Sequence, residues 1–174
     1  MLPPVPPWEG AHVLIVHFPV ALLLTAPVLM FLAMFFPSKW PGMAAAAWIM
    51  LLLGTIAAWV AAASGHAAFL DTGEMPDATR AIMHQHAAMG ERVRNIFTGL
   101  CVAYLVVLLL PRIFKRLKVG PVRVLGTLVL LAVYAWGGIQ LANAAHFGGR
   151  LVHEYGVRAT IVKPETQSAT EAVR

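Results

Sequence analysis

The sequence predicts an all-α integral membrane protein: an up-and-down bundle of four transmembrane helices with both termini on the outer side of the membrane. Three observations lead there. The 174 residues are 59% hydrophobic and only 12% charged, half the charge of an average soluble domain, which is about 25%. Mean hydropathy is +0.73. Four apolar segments, the third counted with the helix expected to start near 81, reach the length of about 20 residues that a helix needs to cross a bilayer. They use most of the chain, so no separate soluble catalytic domain fits beside them. Disorder is excluded as well, since it needs low hydrophobicity and high net charge. The single cysteine, Cys101, cannot form an internal disulfide, and without a Cys-x-x-Cys-His motif there is no c-type haem attachment.

The first span runs from about 11 to 36 and is closed by Pro37 and Pro41; Pro19 and Pro27 inside it predict a kink or a locally opened backbone. The second runs from about 43 to 70, where Ala61 and Gly65, four apart, allow close helix approach. The third is apolar from Ile96 to Leu110, and its helix is expected to begin near 81. The fourth runs from about 122 to 145 and carries Gly137 and Gly138. Residues 1–157 thus form one transmembrane domain, and 158–174, polar and aperiodic, read as a flexible periplasmic tail. Each helical hairpin begins and ends near a histidine, a hint of duplication that no evident sequence repeat accompanies.

Orientation follows from the basic residues. The turns at 37–42 and 111–123 hold Lys39, Arg112, Lys115, Arg116, Lys118 and Arg123 and no acid, whereas the opposite side holds seven bases and all eight acids. By the positive-inside rule those turns face the cytoplasm. The termini, the 71–94 region and the tail then face the periplasm, and the chain is expected in a bacterial inner membrane. Met1-Leu2-Pro3-Pro4 has no basic n-region, so no cleaved signal peptide is expected. The net charge of +5 is explained by membrane orientation, and no nucleic-acid partner is expected.

All seven histidines fall toward the outer side under this topology. Counted from the inner end of each run (Phe36, Leu110, Val122), His12, His86 and His146 lie 24 residues away; from Met43, His66 lies 23 away. At 1.5 Å per residue each is about 35 Å from the inner edge, so four helices place one histidine each in one layer. His17 lies five residues deeper. Ionisable groups at membrane depth are costly and face the bundle interior or a cavity. Neutral imidazole is a common ligand of metals and of haem iron. His17 and His66 are therefore the first candidate ligands for haem b, one or two per chain, followed by His86 and His146 and then His12. Arg92, Arg94 and Arg150 are candidates to meet haem propionates through charge-assisted hydrogen bonds. The plainer reading of any one histidine is a structural hydrogen bond, or an interfacial ring with a wet tip.

Met83-His84-Gln85-His86-Ala87-Ala88-Met89 also offers imidazole and thioether donors, which suit copper. On a helix His84 and His86 point about 200° apart, so His86 shares a face with Met89 and not with His84. His153-Glu154 is not part of a His-Glu-x-x-His motif, and neither a phosphate-binding glycine loop nor a nucleophile elbow is present. Glu91 is spaced to pair with Arg94 or Asn95, although Glu91, Arg92, Arg94 and Asn95 read first as a solvated interfacial helix start, and Gln140 and Asn143 are expected to bond between helices. Trp8, Trp40 and Trp136 fit interfacial anchors, while Trp48 and Trp59 read as packing or lipid-facing residues.

The stretch His12-Val13-Leu14-Ile15-Val16-His17-Phe18-Pro19-Val20-Ala21-Leu22 resembles the opening of a widespread bacterial four-helix membrane family known as a domain of unknown function. Gly148-Gly149-Arg150-Leu151-Val152-His153-Glu154-Tyr155-Gly156-Val157 resembles its end. The resemblance spans residues 11–157, and His-Phe-Pro and Gly-Gly-x-Leu-Val are its most specific elements. The family end reads tyrosine first and histidine two residues later; here His153 and Tyr155 are exchanged. Some relatives are joined to, or encoded near, cytochrome-type proteins, which implies redox chemistry. The expected function is electron transfer by a haem b subunit in the lipid bilayer, between the quinone pool and a periplasmic cytochrome or larger redox complex. Copper or other metal handling by the same histidines is one alternative, and a cofactor-free structural subunit of a redox complex is another. A transporter is disfavoured, because four helices without interrupted half-helices give little material for a midplane site.

Overall fold

The computed structural model describes residues 7–36, 38–113 and 119–157, and over these the chain is helical, without strands. Five helices make four antiparallel rods. α1 (Trp8–Ile15) and α2 (His17–Phe35) form the first, α3 (Trp40–Leu70) the second, α4 (Asp77–Ile113) the third and α5 (Val119–His153) the fourth. Every rod contains a stretch long and apolar enough to cross a membrane. α2 and α4 each pack on both α3 and α5, so α2 and α4 stand on one diagonal of the bundle and α3 and α5 on the other.

Proline shapes the first rod. The break between α1 and α2 falls at Val16, because Pro19 has no N–H to offer the Ile15 carbonyl one turn back. Pro27 removes the partner of the Leu23 carbonyl in the same way, yet α2 runs on. The Tyr134 hydroxyl of α5 donates to that carbonyl oxygen at 2.6 Å. A buried phenol thus replaces the missing amide and ties α2 to α5 inside the core.

The third and fourth helices outrun the apolar runs. α4 begins at Asp77 rather than near 81, and α5 continues past 145 to His153. Apolarity marks the membrane passage, whereas a helix continues until something stops it. Gly73 and Gly156, at φ 65° and 63°, lie just outside the helix ends in the left-handed region that glycine adopts freely. The 37 residues of α4 span about 55 Å, against a hydrocarbon core of about 30 Å. The tail at 158–174, Pro37, and Lys115, Arg116 and Lys118 lie outside the described residues.

The two hairpins repeat one packing unit. Buried positions of the first and third rods correspond 74 residues apart: Leu23 with Phe97, Ala26 with Leu100, Met30 with Tyr104. Those of the second and fourth correspond 83 apart: Ala47 with Leu130, Leu51 with Tyr134, Ala58 with Leu141, Ala61 with Ala144. The glycines keep the same register. A Cβ on Gly54 would lie 2.8 Å from the Leu23 side chain, and one on Gly137 would lie 3.1 Å from Ile96 and 3.4 Å from Phe97. Two pairs of corresponding residues touch each other, His12 with His86 at one end and Trp40 with Arg123 at the other. A residue that touches its own counterpart lies on the pseudo-twofold axis, so these pairs mark its two ends. A sparse sequence repeat does exist after all: Gly54, Ala61 and Gly65 match Gly137, Ala144 and Gly148 in the spacing Gly-x6-Ala-x3-Gly. Trp40 is buried under the Arg123 guanidinium at 4.2 Å, a plug on the axis rather than the expected interfacial anchor.

Candidate imidazole site

His12 leaves α1 one turn before the break, and His86 leaves the third turn of α4. Their ring centroids are 6.1 Å apart and their planes are inclined at 81°. Both rings are held in the same way. His12 Nδ1 lies 2.9 Å from the Ala61 carbonyl oxygen, and His86 Nδ1 lies 3.0 Å from the Ala144 carbonyl oxygen. A carbonyl only accepts, so Nδ1 carries the proton in each ring and Nε2 the lone pair, the tautomer that suits metal ligation. Ser64 Oγ lies 3.3 Å from His12 Nδ1 and itself donates to the Ala61 carbonyl at 3.1 Å. Each ring rests over the glycine four residues beyond its carbonyl. A Cβ on Gly65 would lie 2.8 Å from Cε1 of His12, and one on Gly148 would lie 3.0 Å from Cε1 of His86.

The same helix faces turn the other histidines away. His66 follows Gly65 by one residue, about 100° around α3, and is exposed. His146 lies two residues from both Ala144 and Gly148, on the far side of α5, exposed beside Phe147. His17, beyond the break, is exposed too. Of the candidate ligands the structure brings together His12 and His86; it does not bring His17, His66 and His146 to them. His84 is exposed against Phe69 at 5.0 Å, and His153 is exposed. Met83, three residues before His86 and on the same helix face, is buried, and Met89 packs against the core.

Nor do the arginines gather at the pair. Arg150 is ion-paired with Glu154 at 2.8 Å, and Arg92 is exposed. Arg94 lies on the Trp59 ring at 4.1 Å and donates from Nε to Asn95. Among the described residues Glu91 makes no bond to Arg94 or Asn95 and is exposed, as a solvated helix start would be. Gln140 and Asn143 form no hydrogen bond among the described residues; Asn143 faces outward on α5. Trp48 and Trp59 instead join α3 to α4, donating to the Cys101 carbonyl at 3.2 Å and to Thr98 Oγ1 at 3.1 Å. Sequence spacing alone places His12 last among the ligands. The signal that raises it is the doubled Gly-x6-Ala-x3-Gly, which sets a carbonyl and a bare helix face opposite each ring.

Four long apolar helices packed as two matching hairpins define a multi-pass four-helix membrane protein. The chain matches, over residues 9–160, the family described as predicted membrane protein (DUF2231), and it belongs to that family. The match includes both hairpins and the imidazole pair. No curated protein and no solved structure matches the chain.

Proposed function

We propose that this protein is a b-type haem protein, or a haem subunit of a larger redox complex, carrying electrons between the quinone pool and a partner at the histidine end of the bundle. With the basic turns on the cytoplasmic side of an inner membrane, that end faces the periplasm and the partner is a periplasmic cytochrome. One observation carries the reading: two imidazoles from opposite hairpins meet on the bundle axis, each with Nδ1–H fixed on a backbone carbonyl. The two rings lie 6.1 Å apart, edge to face, a separation compatible with both imidazoles reaching one ion at metal–nitrogen distances of about 2.0–2.1 Å, and this supports the reading.

His12 and His86, rather than the more exposed His17 and His66, would hold the haem. Bound haem supplies a one-electron couple. The chain does the rest. The Ala61 and Ala144 carbonyls fix both imidazoles in the ligating tautomer. Gly65 and Gly148 leave room for the rings, and the small residues around them limit bulk at this level of the core. Arg150, two residues beyond Gly148, is the best placed of the three arginines to meet a propionate, by exchanging its exposed partner Glu154.

A second reading rests on buried Met83, which puts a thioether on the same face of α4 as His86 and would suit a copper ion held by the two imidazoles. One experiment separates the two: a dithionite-reduced minus oxidised visible spectrum of the purified protein, expressed with haem supplied, with metal analysis of the same sample. A sharp ferrous α-band with one iron per chain supports the haem reading. Folded protein without that band sinks it, and copper in that sample would establish the second reading.

A further inference from the structure

We infer that the seam between α3 and α4 binds the phosphodiester headgroup of a membrane phospholipid, on Arg94 held against the face of Trp59. The guanidinium carbon of Arg94 lies 4.1 Å from the indole ring centre, and Nε–H donates to Asn95 Oδ1 at 3.1 Å. Trp59 in turn is fixed by its N–H to Thr98 Oγ1 at 3.1 Å, and the Thr98 hydroxyl donates to the Arg94 carbonyl at 2.7 Å. Among the described residues no carboxylate lies within ion-pairing distance of Arg94, and its terminal amino groups meet no protein acceptor. A guanidinium held over an indole presents those N–H groups as a planar fork, which matches a pair of phosphate oxygens.

Arg94 stands 16 residues from Leu110, about 24 Å by helical rise and about 6 Å inside the outer edge of a hydrocarbon core of about 30 Å, within the reach of a snorkelling side chain. Arg94 and Asn95 immediately precede the apolar run Ile96–Leu110, and Trp59 is 49% exposed on the outer surface of the bundle. Helical side chains lean toward the N-terminus of their helix, so Arg94 leans toward the histidine end, where the headgroups of that leaflet begin and a long cationic side chain can reach them.

The duplication supplies an independent argument. The α3–α4 seam corresponds to the α5–α2 seam, and there the counterparts of Trp59, Arg94 and Thr98 are Ala142, Val20 and Leu24. At those positions the second seam, which packs less closely, carries no cation. A charge left beside lipid tails without an acceptor is costly, and an anionic headgroup removes that cost. The uncompensated positive charge favours a phosphodiester over the neutral carbonyl of a quinone. This inference stands apart from the haem reading.

The test titrates the full chain in maltoside micelles with phosphatidylglycerol and counts retained lipid by native mass spectrometry. The wild type should retain one lipid. Arg94→Ala should weaken it about tenfold, the scale of one charge-assisted hydrogen bond. Arg94→Lys, a point charge without the fork, should fall between, and Arg92→Ala should match the wild type. Alkylation of Cys101 without added lipid checks that the variants fold alike; Arg94→Gln, with a similar stem, replaces any variant that fails. Equal retention by wild type and the Arg94 variants overturns the proposal. So does Arg94-dependent binding of inorganic phosphate alone at matching affinity, or Arg94-dependent retention of a quinone without any effect on the phospholipid.

Discussion

Replacing Gly65 by alanine asks whether the His12 ring owes its position to the bare helix face beneath it. The added Cβ would lie 2.8 Å from Cε1 and 3.1 Å from Nδ1 of His12, well inside the separation of about 3.5–4.0 Å at which carbon atoms rest. The ring must shift, and its 2.9 Å bond to the Ala61 carbonyl breaks. Losing the bond of a fully buried donor costs about 1–3 kcal/mol, an upper figure for this part-buried one. Alanine offsets part of that, being favoured over glycine in a helix by about 0.8–1.0 kcal/mol. Gly65→Ala should therefore destabilise by up to about 2 kcal/mol. Gly148→Ala, whose Cβ would meet His86 at 3.0 Å, should cost slightly less. A methyl added at Gly99 or Gly138 would meet nothing within 4 Å, so alanine there should be neutral or stabilising by up to about 1 kcal/mol. In a His12→Ala background the obstacle is gone, and Gly65→Ala should take the sign of these open glycines, a coupling of about 2 kcal/mol. The alkylation rate of Cys101, the single cysteine and only 7% exposed, reports unfolding in micelles. Equal destabilisation by Gly65→Ala with and without His12 would refute the reasoning.

Other substitutions test other joints. Tyr134→Phe strands the Leu23 carbonyl that Pro27 already deprived of its amide, and should cost about 1–3 kcal/mol; adding Pro27→Ala should recover part of it, and an unchanged Cys101 alkylation rate in Tyr134→Phe would contradict the bond. Leu23→Ala and Phe97→Ala remove counterpart side chains that are both fully buried, so each should cost about 3–5 kcal/mol; a large effect in one hairpin alone would speak against a shared packing unit. Glu154→Gln breaks only the exposed ion pair with Arg150 and should leave the Cys101 alkylation rate unchanged, because exposed ion pairs contribute little; a faster rate would contradict this.

The sequence made the four helices legible because bilayer thickness writes itself into the length of an apolar run. Helix ends were less legible: Asp77 and His153 lie outside the apolar runs, where only local stop signals such as Gly73 and Gly156 fix the boundary. Depth was readable for the histidines, since rise per residue is constant, and His12 and His86 do meet at one level. Facing was not. Hydropathy hardly varies around α3 and α5, so nothing local marked His66 and His146 as outward. That distinction needs the opposing surface, the Ala61 carbonyl and Gly65, which became informative only when paired with Ala144 and Gly148 in the other hairpin. The Tyr134 bond to Leu23 was hidden for a similar reason: Pro27 announces a freed carbonyl but not the donor, 111 residues away along the chain, that satisfies it.

The most direct test of the central claim is the iron content and reduced minus oxidised spectrum of five single variants, His12→Ala, His86→Ala, His17→Ala, His66→Ala and His146→Ala, beside the wild type. The axial-pair assignment predicts that either His12→Ala or His86→Ala alone abolishes the ferrous α-band and the bound iron, while the other three keep both. Haem retained in His12→Ala and His86→Ala, and lost from His17→Ala or His66→Ala, would contradict it.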